Sequence, residues 1–487
     1  MNLRQQALKG VLWSAIQNWG TQVISFLVFF VLARLLEPKA FGLVALAGVF
    51  FSFMELFLGQ GFANALVQRD ELEPEHLDTA FWINLSIGGT LMAIAIAFAA
   101  PIANWFDQPQ LAPILQWMSP SFLLAALSDV QQTLFRRQLA FKALSMRSLV
   151  ATFIGGLVGV IMALLGLGVW SLVGQRLSNA LAGVLVLWWA SEWRPGLKVS
   201  LRHAKELFSF GISIMGSQIL TFFVLRADDF LVGKFLGAVE LGYYTIAYRV
   251  LIMITQLLYT TTNQVVLPTF SRLQQEPERM RRGLYNATQL SSLISLPLCF
   301  GMAALAPELV LGLFGEQWLP SVTTMQVLAF VGPMQLSQGI ISSAITALGK
   351  PNWNLKVNFL NALASVVAFS LAVQWGIVAV AAGRVLSGYF VAPIRVGMLR
   401  RLLSIKLTTY FYQFATPLVA SLGMVVSIMG AKYLLIDWLN WQALLAVCIV
   451  LSAGVYSLIL WLIDPQLVRE ALEMARSILS RKKRNIK

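Results

Sequence analysis

The sequence predicts an all-α integral membrane protein of about fourteen transmembrane helices, built as two six-helix lobes in parallel repeat plus two C-terminal helices. Three observations predict this class: the composition, the spacing of apolar runs and an internal repeat. Of the 487 residues, 58% are hydrophobic and only 12% are charged. Soluble chains are about 45–50% apolar and about 25% charged. The composition therefore excludes an ordinary soluble protein.

The polar inventory excludes several kinds of chemistry. The two cysteines, Cys299 and Cys448, lie in apolar segments, and the two histidines, His76 and His203, lie in polar loops. This inventory excludes a disulfide framework and a metal cluster, and it disfavours zinc or haem chemistry. Nucleotide-binding, GxSxG and HExxH motifs do not occur either. We predict a protein that is not an enzyme and that holds no metal or organic cofactor.

The apolar runs give the elements in order. A transmembrane helix needs about 20 predominantly apolar residues. The first run is longer than the apolar core of a signal peptide, so we interpret it as a retained span. The predicted spans are 11–34, 41–66, 80–104, 111–134, 148–167, 169–190, 207–236, 241–266, 287–314, 322–348, 355–374, 376–399, 412–435 and 441–463.

Basic residues are distributed unequally between alternate loops. One set of loops holds only Arg34, Lys39, Lys234 and Lys432, whereas the other set and the termini hold most of the 36 lysines and arginines. The basic set includes Arg395, which we count with the loop that follows span 376–399, although the residue falls just inside that span. By the positive-inside rule, the protein is multi-pass in the plasma (bacterial inner) membrane, with both termini cytoplasmic. Anionic lipid headgroups account for the net charge of +14, so we predict membrane lipids and no nucleic acid as partners.

The two halves of the chain are copies of one unit. Phe41-Gly42 matches Leu241-Gly242 at an offset of 200, and Arg176 matches Arg384 at an offset of 208. Each copy has an even number of spans, so both insert in the same orientation. The predicted divisions are an N-lobe at 1–200 (spans 1–6), a C-lobe at 201–405 (spans 7–12), spans 13 and 14 at 406–463, and a basic amphipathic cytoplasmic tail at 464–487.

Four arginines lie inside apolar runs at similar predicted depth: Arg176, Arg226, Arg249 and Arg384. With a rise of about 1.5 Å per residue, all four lie roughly 10–15 Å below the outer surface. A guanidinium at the centre of a membrane helix costs about 3 kcal/mol on insertion scales. The four arginines therefore predict a polar cavity that takes an anion.

Three carboxylates accompany the arginines. Arg226 and Asp229 are three residues apart and can pair along one helix face. Asp228 points elsewhere, and we predict that it pairs with Arg249. Glu55 lies near the middle of span 2. These carboxylates are candidates for a gate or for coupling to H⁺ or Na⁺, and the alternative is an ion-pair network that only holds helices together.

Local motifs connect this pattern to a known family. The relevant segments are Leu36 to Gly42, Arg226 to Lys234, Leu241 to Tyr244, Val266 to Leu273, Glu278 to Arg282 and Ala306 to Trp318. Over residues 1 to about 405, the chain resembles the polysaccharide flippase branch of the multidrug/oligosaccharidyl-lipid/polysaccharide exporter superfamily. Within that branch it is most similar to the colanic-acid and teichuronic-acid exporters.

The resemblance implies a fold shared with multidrug exporters and peptidoglycan-precursor flippases. It implies translocation of a polyprenyl-pyrophosphate-linked oligosaccharide for lipopolysaccharide, capsule or exopolysaccharide assembly, by alternating access of two lobes. A polysaccharide polymerase and chain-length machinery are implied as further partners. The pyrophosphate would be bound by the cationic cavity, for which Arg176, Arg226, Arg249 and Arg384 are the candidates.

Three alternatives remain open. A drug or cation antiporter of the same fold would favour a cavity dominated by carboxylates, whereas arginines here equal or outnumber them. A membrane polysaccharide polymerase or ligase would carry one long outer loop, whereas the predicted outer loops are all short. A pure scaffold is disfavoured by the buried charges.

Overall fold

In a computed structural model, the described residues are 3–58, 73–435, 437–469 and 473, and helices dominate them. Two short 3₁₀ helices, Glu316–Ser321 and Val373–Trp375, interrupt the α-helices. The α-helices are α1 (Leu3–Leu35), α2 (Pro38–Glu55), α3 (Pro74–Trp105), α4 (Leu111–Met118), α5 (Pro120–Arg137), α6 (Phe141–Leu164), α7 (Trp170–Ala190), α8 (Leu201–Phe235), α9 (Gly237–Arg272), α10 (Pro277–Ala304), α11 (Ala306–Leu313), α12 (Val322–Leu328), α13 (Val331–Ala347), α14 (Pro351–Ala372), α15 (Ile377–Leu403), α16 (Leu407–Leu435) and α17 (Trp441–Ile463).

Within the described ranges, ten helical segments are long and apolar enough to cross a membrane. An eleventh results if Glu316–Leu328 and Val331–Ala347, which are bent by 41° at their junction, form one span. The predicted all-α, multi-pass membrane class is confirmed. The count of fourteen spans stays a prediction, because α7, α8 and α9 cover predicted spans but are not among the ten.

Prolines divide two of the predicted spans. Span 111–134 is two helices, because α4 ends at Met118 and α5 begins at Pro120. Span 287–314 is divided between α10 and α11, where Pro307 occupies the first turn of α11. Proline lacks an N–H group and is therefore favoured where a helix starts.

The chain splits into two compact units, Met1–Thr245 and Ile246–Lys487. The boundary between them lies within α9. The lobe limits predicted from the repeat stay a prediction. Of the predicted tail, the described part begins with Asp464, whose carboxylate accepts a hydrogen bond from the Leu467 N–H at 3.0 Å, as an N-cap does. Most of the remaining tail lies outside the described residues.

Small residues position the helices of the first unit. Gly155 and Gly159 of α6 face α7, and a Cβ on Gly155 would lie 2.7 Å from the Asn179 Cβ. Gly156 faces Val28 of α1. In lipid, helices associate largely through van der Waals packing, which small residues make possible. This packing fixes α7, the helix that carries Arg176.

The second unit has a core near the predicted cytoplasmic ends of its helices. Phe270, Met280, Ile340 and Leu399, from four different helices, are buried together there. A second cluster around Ile428 and Cys448 joins α16 to α17. The first cluster connects α9 to α15, the two helices that carry the predicted site residues Arg249 and Arg384.

Candidate functional site

The structure pairs Arg176 with Glu55, two residues that the sequence predicted separately. The Arg176 Nη2 and Glu55 Oε1 atoms are 2.8 Å apart, and the two side chains are 35% and 46% exposed. The guanidinium carbon lies 5.1 Å from the centroid of the Phe51 ring. Phe51 is fully buried and stacks on Phe122 at 4.7 Å. A fixed aromatic ring thus supports an ion pair that stays accessible.

A second ion pair lies on α8. Arg226 Nη1 and Asp229 Oδ2 are 3.1 Å apart, which confirms the predicted pairing along one helix face. The Arg226 side chain is 42% exposed, whereas that of Asp229 is 8% exposed. Consecutive helical residues point in different directions, and Asp228 is buried on another face. There its carboxylate accepts a hydrogen bond from the Tyr244 hydroxyl at 2.6 Å. The predicted pairing of Asp228 with Arg249 stays a prediction.

The two ion pairs belong to one cluster within the first unit. Arg226 is close enough to Arg176 for the two guanidinium groups to repel each other. Phe53 of α2 and Phe222 of α8 are also in contact, with ring centroids 5.3 Å apart. We call Arg176, Glu55, Arg226 and Asp229 the N-unit cluster. It contains two cations and two anions, so its formal charge is zero.

Arg384, the repeat equivalent of Arg176, has a different environment in the second unit. It is 9% exposed and donates a hydrogen bond from Nη2 to the Tyr248 hydroxyl at 2.7 Å. Its guanidinium carbon lies 4.4 Å from the Tyr248 ring centroid and 5.9 Å from that of Phe369. The repeat equivalent of Glu55 is Thr255. The second copy therefore has a neutral residue where the first copy has its carboxylate.

Arg249 follows Tyr248 on α9 and is exposed. The predicted site residues are thus distributed over both units: Arg249 and Arg384 lie in the second, and the other five lie in the first. Among the described residues, no group of three or more His, Cys, Asp or Glu side chains could hold a metal ion.

Sequence reasoning counted Arg395 with the basic residues of a loop, and this was wrong. Arg395 lies inside α15 and is 7% exposed. It was misassigned because it precedes Arg400 and Arg401, which do lie at the helix end, by only a few residues. Two features of the sequence could have indicated that Arg395 is buried in the helix. It follows Arg384 by three helical turns, and residues 317–436 contain no carboxylate. The tyrosines that contact the charged residues were also missed.

Comparisons with known proteins agree with this architecture. The chain matches the model of a family described as "Polysaccharide biosynthesis protein" over residues 31–323. It is 32% identical to the succinoglycan biosynthesis transport protein ExoT of Rhizobium meliloti (strain 1021), over 69% of this chain and 67% of that protein. It is 25% identical to the teichuronic acid biosynthesis protein TuaB of Bacillus subtilis (strain 168), over 93% and 94% of the two chains.

Two solved structures share the fold. The lipid II flippase MurJ, in an inward closed conformation, superposes with a TM-score of 0.77 at 15% identity, over 94% of this chain and 100% of that one. An inward-facing multidrug resistance MATE family transporter gives a TM-score of 0.62 at 14% identity, over 79% and 94% of the two chains. At these identities the likeness establishes the fold and nothing further.

Proposed function

Because the chain belongs to the polysaccharide biosynthesis protein family, we propose that it is a flippase for a polyprenyl-pyrophosphate-linked oligosaccharide. The names of its relatives support this: one is a transport protein for succinoglycan biosynthesis and another is a probable low-salt glycan biosynthesis flippase of Haloferax volcanii. The cycle would alternate between two lobes, as the parallel repeat suggests.

The observation that carries the proposal is the accessible N-unit cluster. A pyrophosphate needs about two guanidinium groups, preferably in bidentate geometry, to leave water without a large penalty. Arg176 and Arg226 offer two, both more than a third exposed. The second unit carries two further cationic candidates of its own, Arg249 and Arg384.

The carboxylates of the N-unit cluster would stabilise the protein when no substrate is bound. Without substrate, Glu55 and Asp229 neutralise the two guanidiniums. An incoming pyrophosphate would replace them as the partner of the arginines. The displaced carboxylates, Glu55 and Asp229, would then be free to take up H⁺ or Na⁺. We propose these two residues, together with the adjacent buried Asp228, as gate or ion-coupling residues.

In the proposed setting, the protein lies in the bacterial inner membrane with both termini in the cytoplasm. Substrate is then loaded from the cytoplasmic leaflet and released to the outer leaflet. A polysaccharide polymerase and its chain-length machinery would consume the product there. They are the proposed protein partners.

The test is the accumulation of lipid-linked glycan in a strain lacking this protein, complemented with wild type, Arg249→Ala or Arg384→Ala. We expect the deletion strain to accumulate inward-facing intermediate, wild type to clear it, and both variants to fail at normal expression. Arg279→Ala is the matched control, because Arg279 is exposed and pairs with Glu276.

The other possible outcomes would contradict part or all of the proposal. Complementation by both variants would make these arginines structural. A deletion strain that accumulates no intermediate and still delivers glycan to the surface would overturn the flippase proposal. Export of cationic drugs would then be measured next, since a multidrug transporter shares this fold.

A further inference from the structure

Arg395 is a buried cation that the proposed cavity does not use. It lies in α15, is 7% exposed, and donates a hydrogen bond from Nη2 to the Asn358 Oδ1 of α14 at 2.7 Å. Its Nε atom is buried and has no hydrogen-bond partner among the residues that the structure describes. Tyr259 of α9 lies in its neighbourhood. One donor of this guanidinium fork is therefore free to bind a further acceptor.

No carboxylate lies on α13, α14 or α15, or on α9 after its first turn. Residues 241–275 and 317–436 contain neither Asp nor Glu, and these ranges include α13, α14, α15 and all of α9 after its first turn. Buried ions in proteins are normally paired with an opposite charge. The Asn358 amide supplies only a dipole. A neutral side chain would join α14 to α15 at a lower desolvation cost, so a purely structural role explains the charge poorly.

The spacing relates Arg395 to Arg384. The two arginines are eleven residues apart on α15, and Tyr248 and Tyr259 are eleven residues apart on α9. Eleven residues make just over three helical turns and about 16 Å of rise, so both members of each pair lie on nearly the same helix face. Arg384 donates a hydrogen bond to Tyr248, and Tyr259 lies in the neighbourhood of Arg395. The two helices thus place a tyrosine near an arginine at two levels.

We propose that Arg395 is a second binding residue for the pyrophosphate of the carrier lipid, three helical turns from Arg384 toward the predicted cytoplasmic end of α15. This inference rests on the proposed flippase function. The planar guanidinium would direct its free Nε–H and an Nη–H at two phosphate oxygens. The anion would be received at Arg395 and then transferred along α15 to Arg384. The absence of carboxylates along this path leaves no competing partner on these helices.

The test is probe binding by the purified full-length protein in lipid nanodiscs. The probes are farnesyl pyrophosphate and farnesol, which share the hydrocarbon chain and differ in the charged group. We expect Arg395→Gln to weaken binding of farnesyl pyrophosphate about tenfold or more, the usual effect of losing a charge-assisted hydrogen bond. Farnesol binding should not change. Arg400→Gln is the control, because Arg400 is exposed on the same helix.

Wild-type affinity of Arg395→Gln for farnesyl pyrophosphate would overturn the inference, and so would an equal loss of both probes. If Arg395→Gln does not fold, Arg395→Lys decides, because lysine keeps the charge but lacks the planar fork. The lysine variant should lose affinity severalfold for the pyrophosphate alone, and unchanged affinity would overturn the inference. Failure of the flippase proposal would appear separately, as a deletion strain without accumulated lipid-linked glycan.

Discussion

Gly42 and Gly242 occupy equivalent positions in the two copies of the repeat, and they meet where α2 crosses α9. A Cβ on Gly42 would overlap the carbonyl oxygen of Ala238 and lie 3.0 Å from the Gly242 nitrogen. A Cβ on Gly242 would overlap the carbonyl oxygen of Pro38. The contacts are reciprocal at the repeat offset of 200 residues, because Ala238 and Pro38 are equivalent as well. Glycine is required here because the two backbones touch directly.

The first prediction is that Gly42→Ala destabilises this crossing. The added methyl group meets backbone, which cannot move aside as a flexible side chain can, so we expect a loss of about 1–3 kcal/mol. Thermal unfolding in detergent would measure it as a lowered Tm. Gly48→Ala is the matched control on the same helix, since open space surrounds that position. Equal Tm values for the two variants would contradict the close crossing.

The second prediction concerns Glu55, which competes with a phosphate for the Arg176 guanidinium. An exposed ion pair contributes up to about 1 kcal/mol, so Glu55→Gln should tighten binding of farnesyl pyrophosphate by at most about fivefold. Titration of the nanodisc-embedded protein would measure this. Glu276→Gln is the control, because Glu276 forms an exposed pair of the same 2.8 Å length with Arg279. Weaker binding by Glu55→Gln would instead mean that Glu55 orients Arg176 for the substrate.

Local sequence spacing predicted the part of the site that lies on one helix. The part that depends on contacts between distant helices could not be predicted from the sequence. The Arg226–Asp229 pair follows from helical periodicity alone, because three residues place two side chains on one face. Glu55 and Arg176 are separated by 121 residues, and a single sequence does not show which distant helices pack together. The apolar runs and the repeat likewise gave the membrane class and the order of the helices.

Residues near helix ends were harder to assign from the sequence. The apolar run containing Arg395 ends close to Arg400, so Arg395 was counted with the basic residues of the loop, whereas packing against Asn358 buries it. Tyr248 was missed for a different reason. A tyrosine in an apolar run resembles an ordinary core residue until its hydroxyl is seen to accept a hydrogen bond from Arg384.

The third prediction separates the two contacts that Tyr248 makes with Arg384. Tyr248→Phe removes the hydroxyl acceptor and keeps the ring, so we expect a loss of roughly 1.5–3 kcal/mol. Tyr248→Ala also removes the cation–π contact and should lower stability further. Thermal unfolding and clearance of lipid-linked glycan should both rank wild type above Phe and Phe above Ala. Tyr433→Phe is the control, because Tyr433 is 85% exposed.

Equal behaviour of the two Tyr248 variants would mean that the ring does not stabilise the guanidinium. A wild-type phenotype for Tyr248→Phe would mean that the hydrogen bond contributes nothing. Either result would show that the corresponding contact with Tyr248 is not needed to hold Arg384 in place.

A buried ion pair between α11 and α16 gives the fourth prediction. Lys432 Nζ and Glu308 Oε1 are 2.6 Å apart, with side-chain exposures of 21% and 9%. The Lys432 ammonium also donates to the Ala304 carbonyl oxygen at 3.2 Å. Replacing one partner of a buried pair leaves the other charge without compensation, at a cost of about 3–5 kcal/mol. Replacing both removes the two desolvation penalties together.

We therefore expect Glu308→Gln and Lys432→Met each to lower the Tm strongly, and the double variant to be more stable than either single one. A double-mutant cycle on detergent-solubilised protein measures the coupling between the two residues. The exposed pair Glu276–Arg279 is the matched control, and its removal should change stability by less than about 1 kcal/mol. Additive losses at Lys432 and Glu308 would show that each side chain stabilises the fold through packing, because an ion pair couples its two members and independent contacts do not.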